Sequence, residues 1–189
     1  MQTYITANFG PDPVDERDKP FSSIRLIQVY PGDVDLRPFC TESNQLGLSS
    51  CAGNATADGV EVLNAIEGRP KIELSRLFVY AMSRVLQDDD RNGLNDLNRD
   101  QGTYIRLCMD TLSRFGICSE AMWPYQESKV FDAPTLLAMR QAMGHRIKGY
   151  YRINQTGEAR CSAVIEALRA KHPVVFGTQI EKSFEDLLG

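Results

Sequence analysis

One cysteine of the chain, Cys51, opens a predicted helix directly after the Gly/Ser-rich segment 47–50. The first turn of a helix carries the positive end of the helix dipole and unpaired backbone N–H groups, and both favour thiolate over thiol. Gln45 lies six residues upstream, so its side-chain amide can fold back beside the backbone N–H of Cys51. Two such donors form an oxyanion hole, and the pair predicts nucleophilic attack on a carbonyl carbon.

The ordinary alternative is that Cys51 is a small buried apolar residue and Gln45 a solvated loop residue. The chain has five cysteines, an odd number without a CxxC pair, and only two histidines. This set argues against a zinc site and favours reduced thiols over a disulfide framework. Because the N-terminus also lacks the basic and apolar regions of a signal peptide, we expect a cytoplasmic protein without metal or cofactor.

The composition is typical of a globular chain with a small negative charge. Hydrophobic residues make up 42% of the 189 residues, and 21 Lys and Arg against 25 Asp and Glu give a formal net charge of −4. No excess of positive charge is available to neutralise phosphates, so we expect no nucleic-acid partner. No uncharged apolar stretch approaches the ~20 residues of a membrane span, so we expect no membrane partner.

Apolar periodicity predicts that helices form most of the ordered structure. The predicted helices are Cys51 to about Glu67, one from just after Pro70 through Val85, about 103–115, 133–143 and 158–171. The pattern changes after Gly144, because 147–153 alternates and 174–177 is a short apolar run. Both segments predict strands.

These elements divide the chain into three parts. Residues 1–33 carry much Pro and Gly without helical periodicity, which predicts an extended leader that packs like a pro-segment. Residues 34–144 form a helical domain with the Cys51 helix, and residues 145–189 form the start of a β domain. Segregated helices and strands define an α+β fold.

The residues around Cys51 resemble the active-site segment of papain-like cysteine peptidases, in which Gln, a Gly/Ser turn and the nucleophilic Cys stand at this separation. Further similar segments follow in the same order and extend the resemblance over most of residues 11–180. They are Pro11–Asp18, Val34–Arg37, Ser75–Tyr80, Asp100–Thr103, Gly116–Cys118, Glu120 and Trp123–Tyr125. The first two of these segments are similar to those that precede the nucleophile in microbial and viral members of the family.

The resemblance implies a papain-like fold, with a helical left-hand domain and the beginning of an incomplete β right-hand domain. It also implies hydrolysis of peptide bonds in a peptide or protein substrate through a thioester. Cys51 would be the nucleophile and Gln45 the side-chain oxyanion donor. Gly102 and Thr103 would lie along the cleft and offer backbone groups to an extended substrate.

The sequence departs from the family in two ways. Leu48 and Ala52 stand where the family usually has a disulfide-bonded Cys and an aromatic residue. The catalytic histidine is expected roughly 130–150 residues after the nucleophile, and residues 181–189 contain none. We therefore expect a C-terminal fragment or partner chain to supply His and Asn, and the alternative is a catalytically inactive peptide-binding module.

Two further groups of residues carry weaker signals. His145 precedes the first predicted strand and His172 precedes the second, so a surface or strand-end role is favoured over that of the base. The segment Asp88–Gly93 places oxygen ligands as in a calcium loop, but Arg99 stands where a bidentate Glu is required. A solvated loop is therefore the favoured interpretation, and a calcium-responsive protein is the alternative.

Overall fold

The structure, a computed structural model, describes residues 12–23, 31–87 and 96–178. Five α-helices occur in these ranges: α1 (Cys51–Ile66), α2 (Arg76–Leu86), α3 (Ile105–Arg114), α4 (Leu136–Ala142) and α5 (Gly157–Arg169). Short 3-10 turns occupy Phe21–Ser23, Arg37–Phe39, Asp96–Asn98 and Glu127–Lys129. None of the helices in the described ranges combines the length and apolarity that a membrane span requires.

All five helices predicted from periodicity are confirmed, but α2 and α4 begin later than predicted. Ser75 is the N-cap of α2, where its hydroxyl accepts a hydrogen bond from the backbone N–H of Phe78 at 3.2 Å. Thr135 caps α4 in the same way, through the N–H of Ala138. The capping side chain therefore fixes each start, because it satisfies a backbone donor that has no partner in the first helical turn.

Helix α2 is the centre of the fold. Its residues Leu77–Ala81 are at most 1% exposed, and both α1 and α3 pack against it. On one side lies a core cluster that includes Phe78, Trp123 and Val130. On the other side lies a second cluster that includes Val79, Leu112 and Ile117. Burial on every face explains why this helix has an almost continuous apolar sequence.

Arg84, near the end of α2, is fully buried and binds backbone carbonyls of neighbouring loops. Its guanidinium donates to Leu97 O at 3.3 Å, to Arg99 O at 2.8 Å and to Val130 O. It also lies 4.2 Å from the centroid of the Tyr80 ring. Hydrogen bonds to a charged group are among the stronger ones, so Arg84 fixes the loop that leads to residues 100–103.

The two predicted strands do not form a sheet in the described residues. Arg152, in the segment 147–153, makes one isolated parallel bridge with Pro20 of the leader. Its N–H donates to Lys19 O at 2.8 Å, and its carbonyl accepts from the N–H of Phe21 at 2.8 Å. The segment 174–177 forms no bridge within the described ranges. Alternation in a sequence marks two faces, but a strand also needs a neighbouring backbone with which to pair.

The leader is fastened to α3 through charged side chains. Arg106 donates to Asp15 Oδ2 at 2.7 Å and to Pro13 O at 2.9 Å, and it lies 3.3 Å from Asp18 Oδ1. The backbone N–H of Arg106 donates to Asp12 Oδ2 at 3.0 Å. Asp12 thus satisfies a free donor at the start of α3, next to the segment that contains Gly102 and Thr103.

Gly116, which follows α3, is the glycine whose replacement we expect to cost most. It has φ +81°, and a Cβ there would lie 1.9 Å from Ala142 O. Gly116→Ala should lower the free energy of unfolding by about 3 kcal/mol or more, because backbone strain adds to a clash with main chain. Urea unfolding measures this change.

Gly68→Ala is the matched control. Gly68 also has positive φ, +70°, but no atom lies within 4 Å of the position of its Cβ. The expected cost is about 1 kcal/mol. Equal costs at Gly116 and Gly68 would contradict the contact between the ends of α3 and α4.

Candidate active site

Cys51 is the first residue of α1, and its side chain is exposed. It is a free thiol. Within the described residues, no acceptor binds the backbone N–H groups of Cys51, Ala52 or Gly53. The sulfur therefore lies at a helix N-terminus with open donors, and the alternative of a buried apolar cysteine is wrong for Cys51.

The other four cysteines lie in different surroundings. Cys108 and Cys118 are buried, and burial raises the pKa of their thiols to about 12 and about 11 respectively. Both therefore remain protonated and inert at neutral pH. Cys40 and Cys161 are exposed and free, and neither is at the first residue of a helix. They provide internal references for the reactivity of Cys51.

The segment 45–48 turns so that Gln45 lies near the start of α1. The N–H of Leu48 donates to Gln45 O at 3.2 Å, and Leu46 adopts φ 52°. The amide Nε2 of Gln45 donates to Leu48 O at 3.0 Å. This bond uses one of the two amide protons, and the second has no acceptor among the described residues. The role of Gln45 as an oxyanion donor stays a prediction.

Leu48 and Ala52, the two departures from the family pattern, both face the core. Leu48 is 8% exposed and belongs to the cluster around Phe78 and Trp123. Ala52 is 3% exposed and belongs to the cluster around Val79. Apolar packing of Leu48 therefore occupies the position where the family has a disulfide-bonded cysteine.

The segment 44–50, here called the nucleophile loop, is held in place by three side chains from outside it. The N–H of Ser49 donates to the carboxylate of Asp100 at 3.1 and 3.2 Å. The N–H of Gly47 donates to Glu127 Oε1 at 2.9 Å. The hydroxyl of Tyr125 donates to Gln45 O at 2.7 Å. Each contact satisfies a main-chain group of the loop, so the position of Gln45 relative to Cys51 does not depend on the loop alone.

Ser50 is the N-cap of α1, yet its side chain makes no capping hydrogen bond. Serine at this position ordinarily accepts from the second or third N–H of the helix. Here the buried Oγ instead accepts from Asn54 Nδ2 at 2.8 Å and contacts the Tyr125 hydroxyl at 2.6 Å. The hydroxyl is thus engaged by other side chains. Within the described residues, the first backbone N–H groups of α1, which begin with that of Cys51, have no acceptor.

Gly102 and Thr103 lie next to this loop, but the N–H of Gly102 is already bound. It donates to the Tyr80 hydroxyl at 3.1 Å, and that hydroxyl donates to Asp100 Oδ1 at 2.5 Å. A Cβ on Gly102 would lie 3.7 Å from Ser49 O, which places the segment beside the nucleophile loop. The N–H of Gly102 is therefore engaged within the protein, and the expectation that Gly102 and Thr103 offer backbone groups to a substrate stays a prediction.

Neither histidine is hydrogen-bonded to Cys51 within the described residues. His145 follows α4 and His172 follows α5, and both are exposed. Their backbone N–H groups donate to Ala142 O and Ala167 O, and no hydrogen bond of either ring occurs within the described residues. No hydrogen bond therefore connects an imidazole to Cys51 among the residues that the structure describes.

The sequence also raised metal and calcium binding. No three His, Cys, Asp or Glu side chains converge to hold a metal ion in the part of the chain that the structure describes. The calcium-loop candidate Asp88–Gly93 lies outside the described residues.

Comparisons with known proteins identify the class of fold. Xylellain, a cysteine protease from Xylella fastidiosa, superposes with a TM-score of 0.70 at 24% identity over 86% of this chain and 63% of xylellain. The digestive procathepsin L 3 of the Tenebrio molitor larval midgut superposes with a TM-score of 0.52 at 18% identity, over 78% of this chain and 44% of its own. The described helices therefore have the papain-like fold, as the sequence predicted.

A sequence relative supports the same assignment. The uncharacterized peptidase C1-like protein L477 of Acanthamoeba polyphaga mimivirus is 30% identical in an alignment of 168 residues, and the match covers 83% of this chain and 52% of L477. No family model matches the chain. The resemblance to papain-like cysteine peptidases is confirmed, and the chain spans about half the length of this relative. That partial coverage fits the N-terminal part of such a peptidase.

The sequence alone assigns no role to the residues that hold the loop. Tyr125 and Asp100 belong to segments that resemble the family, and Glu127 lies outside those segments. They contact the loop from 80, 51 and 80 residues away in the sequence. The available signal was the concentration of polar residues in the loop 44–50, because their backbone groups require external partners when the loop is half-buried.

Tyr80 joins the cleft segment to the core, and its hydroxyl can be removed without loss of the ring. Tyr80→Phe should lower the free energy of unfolding by about 1–3 kcal/mol, because Asp100 loses a donor and the N–H of Gly102 loses its acceptor. Urea unfolding at pH 7 measures the change. Tyr151→Phe is the control, since Tyr151 is 43% exposed and its change should stay within about 0.5 kcal/mol. Equal effects would contradict the bridging role of Tyr80.

Proposed function

We propose that this chain supplies the nucleophile and the oxyanion donors of a papain-like cysteine peptidase. The observation that carries the proposal is the exposed sulfur of Cys51 at the start of α1, where the backbone N–H groups are open. The Gln45 amide, with one proton free among the described residues, lies on the same loop. The similarity to cysteine proteases supports peptide-bond hydrolysis as the reaction.

In this reaction the thiolate of Cys51 attacks the carbonyl carbon of the substrate. A C–S bond forms, and the carbonyl oxygen becomes an oxyanion that accepts from the Cys51 N–H and from Gln45 Nε2. Collapse of this intermediate breaks the C–N bond and leaves a thioester on Cys51. An imidazole returns a proton to the leaving amine and then activates the water that hydrolyses the thioester.

We propose that the imidazole comes from outside these 189 residues, on a C-terminal fragment or a partner chain, with an Asn that orients it. The exposed positions of His145 and His172, on segments after α4 and α5, support this assignment. The carbonyl of Gly102, which lies beside Ser49, and the backbone of Thr103 would contact an extended substrate. The substrate is a peptide or a protein in this proposal.

A second candidate is a module that binds peptides without cleaving them. The observation that favours it is that no imidazole is hydrogen-bonded to Cys51 within the described residues. The two candidates share the cleft and differ in the chemistry of the sulfur. Measurements of thiol reactivity and of peptide cleavage therefore separate them.

Cys51 should be the fastest thiol of the chain toward iodoacetamide at pH 6. An ordinary thiol is less than about 1% ionised at that pH, whereas a helix N-terminus stabilises the thiolate. We expect alkylation of Cys51 to be about tenfold faster than that of Cys40 or Cys161, measured by mass spectrometry of peptides. These two exposed thiols are the controls within the same molecule.

A Cys51 rate equal to that of Cys40 would contradict the proposed nucleophile. Cys51→Ala should abolish the fast phase of alkylation and leave the slower sites unchanged. The variant should also abolish any peptide cleavage measured when a histidine-bearing partner is supplied.

Gln45→Ala tests the oxyanion donor without altering the thiol. Acylation by p-nitrophenyl acetate passes through an oxyanion, whereas alkylation by iodoacetamide does not. The variant should lower the acylation rate of Cys51 about 100-fold and leave alkylation nearly unchanged, because one donor is lost. Gln101→Ala, which removes an exposed amide near the cleft, should change neither rate. An equal loss in both reactions would show that Gln45 acts only on loop structure.

A further inference from the structure

Four polar groups beside Cys51 form one continuous series of hydrogen bonds whose direction is fixed by chemistry. The amide Nδ2 of Asn54 only donates, and it lies 2.8 Å from Ser50 Oγ. The carbonyl of Gln45 only accepts, and it lies 2.7 Å from the Tyr125 hydroxyl. Since each hydroxyl has one proton, the 2.6 Å contact between them must run from Ser50 to Tyr125.

This series connects the two donors of the proposed oxyanion hole. One end is the main chain of Gln45, whose side chain is the first donor. Ser50 lies inside the series and immediately precedes Cys51, whose backbone N–H is the second donor. Hydrogen bonds in a continuous series polarise and strengthen one another, so the Tyr125 hydroxyl couples the two positions.

Tyr125 is itself held firmly by its neighbours. Its backbone N–H donates to Glu120 Oε1, and the guanidinium of Arg76 lies over its ring, 5.0 Å from the centroid. Burial raises the pKa of the phenol, so the hydroxyl keeps the proton that it donates to Gln45 at neutral pH.

We propose that Tyr125 is a positioning residue that sets the distance between the Gln45 amide and the Cys51 N–H. It also holds the Ser50 hydroxyl away from the cap of α1, so that the helix N–H groups stay open for an oxyanion. This inference rests on the proposed function, because Tyr125 acts through the nucleophile and donor assigned there. Misplacement of a catalytic group by about 1 Å costs up to ~100-fold in rate, and we expect about tenfold for one lost hydroxyl.

The test compares two reactions at Cys51 in the full chain. Acylation by p-nitrophenyl acetate forms a C–S bond and releases p-nitrophenolate through an oxyanion. Alkylation by iodoacetamide forms a C–S bond and releases iodide without an oxyanion. Tyr125→Phe should lower the ratio of acylation to alkylation about tenfold, and Ser50→Ala, which interrupts the same series, should lower it similarly. In the double variant with Gln45→Ala, Tyr125→Phe should add little.

Tyr150→Phe is the matched control, because Tyr150 is also half-buried and its hydroxyl donates to Asp110 Oδ1 at 2.6 Å. Its loss should change stability but not the ratio at Cys51. An unchanged ratio in folded Tyr125→Phe and Ser50→Ala would overturn the positioning role while leaving the proposed function in place. If wild-type Cys51 acylates no faster than Cys40 and Cys161, the proposed function and this inference both fail.

Discussion

The hydroxyl of Ser50 is central to the arrangement around Cys51, because it bonds to two side chains and not to the backbone at the start of α1. Asn54 donates to it and it donates to Tyr125, and neither hydrogen bond satisfies a backbone donor in the first turn of α1. Backbone donors that most helices satisfy with this residue type are left free. The result is a helix end with unused hydrogen-bonding capacity next to an exposed sulfur.

The position of this helix end derives from the buried helix α2. Gly53, in the first turn of α1, packs so closely on Tyr80 that a Cβ would lie 3.0 Å from the tyrosine Cβ. The hydroxyl of Tyr80 binds Asp100, and Asp100 binds the N–H of Ser49. The core, the cleft segment and the nucleophile loop are thus connected through side chains that are largely withdrawn from water.

The sequence predicted what is local and missed what is distant. Periodicity identified all five helices, and the first residue of α1 was identified correctly because Cys51 follows a Gly/Ser-rich turn. Periodicity does not identify the capping residue, so α2 was expected before Ser75. The partners of the loop, such as Tyr125 and Asp100, could not be predicted because those bonds depend on how the helices pack. The prediction of a strand at 147–153 is wrong for the same reason, because a strand forms only where another backbone segment lies next to it and pairs with it.

The leader contacts α3 at the N-terminal end of the helix. Asp12 provides a carboxylate for the N–H of Arg106, and Asp15 and Asp18 neutralise the arginine side chain. A chain without residues 12–18 would leave the N–H of Arg106 without its acceptor and the guanidinium without its carboxylate partners, at the start of the helix that follows Gly102 and Thr103. Residues 12–18 therefore belong to the folded unit in an energetic sense, because the backbone and charge of α3 depend on them.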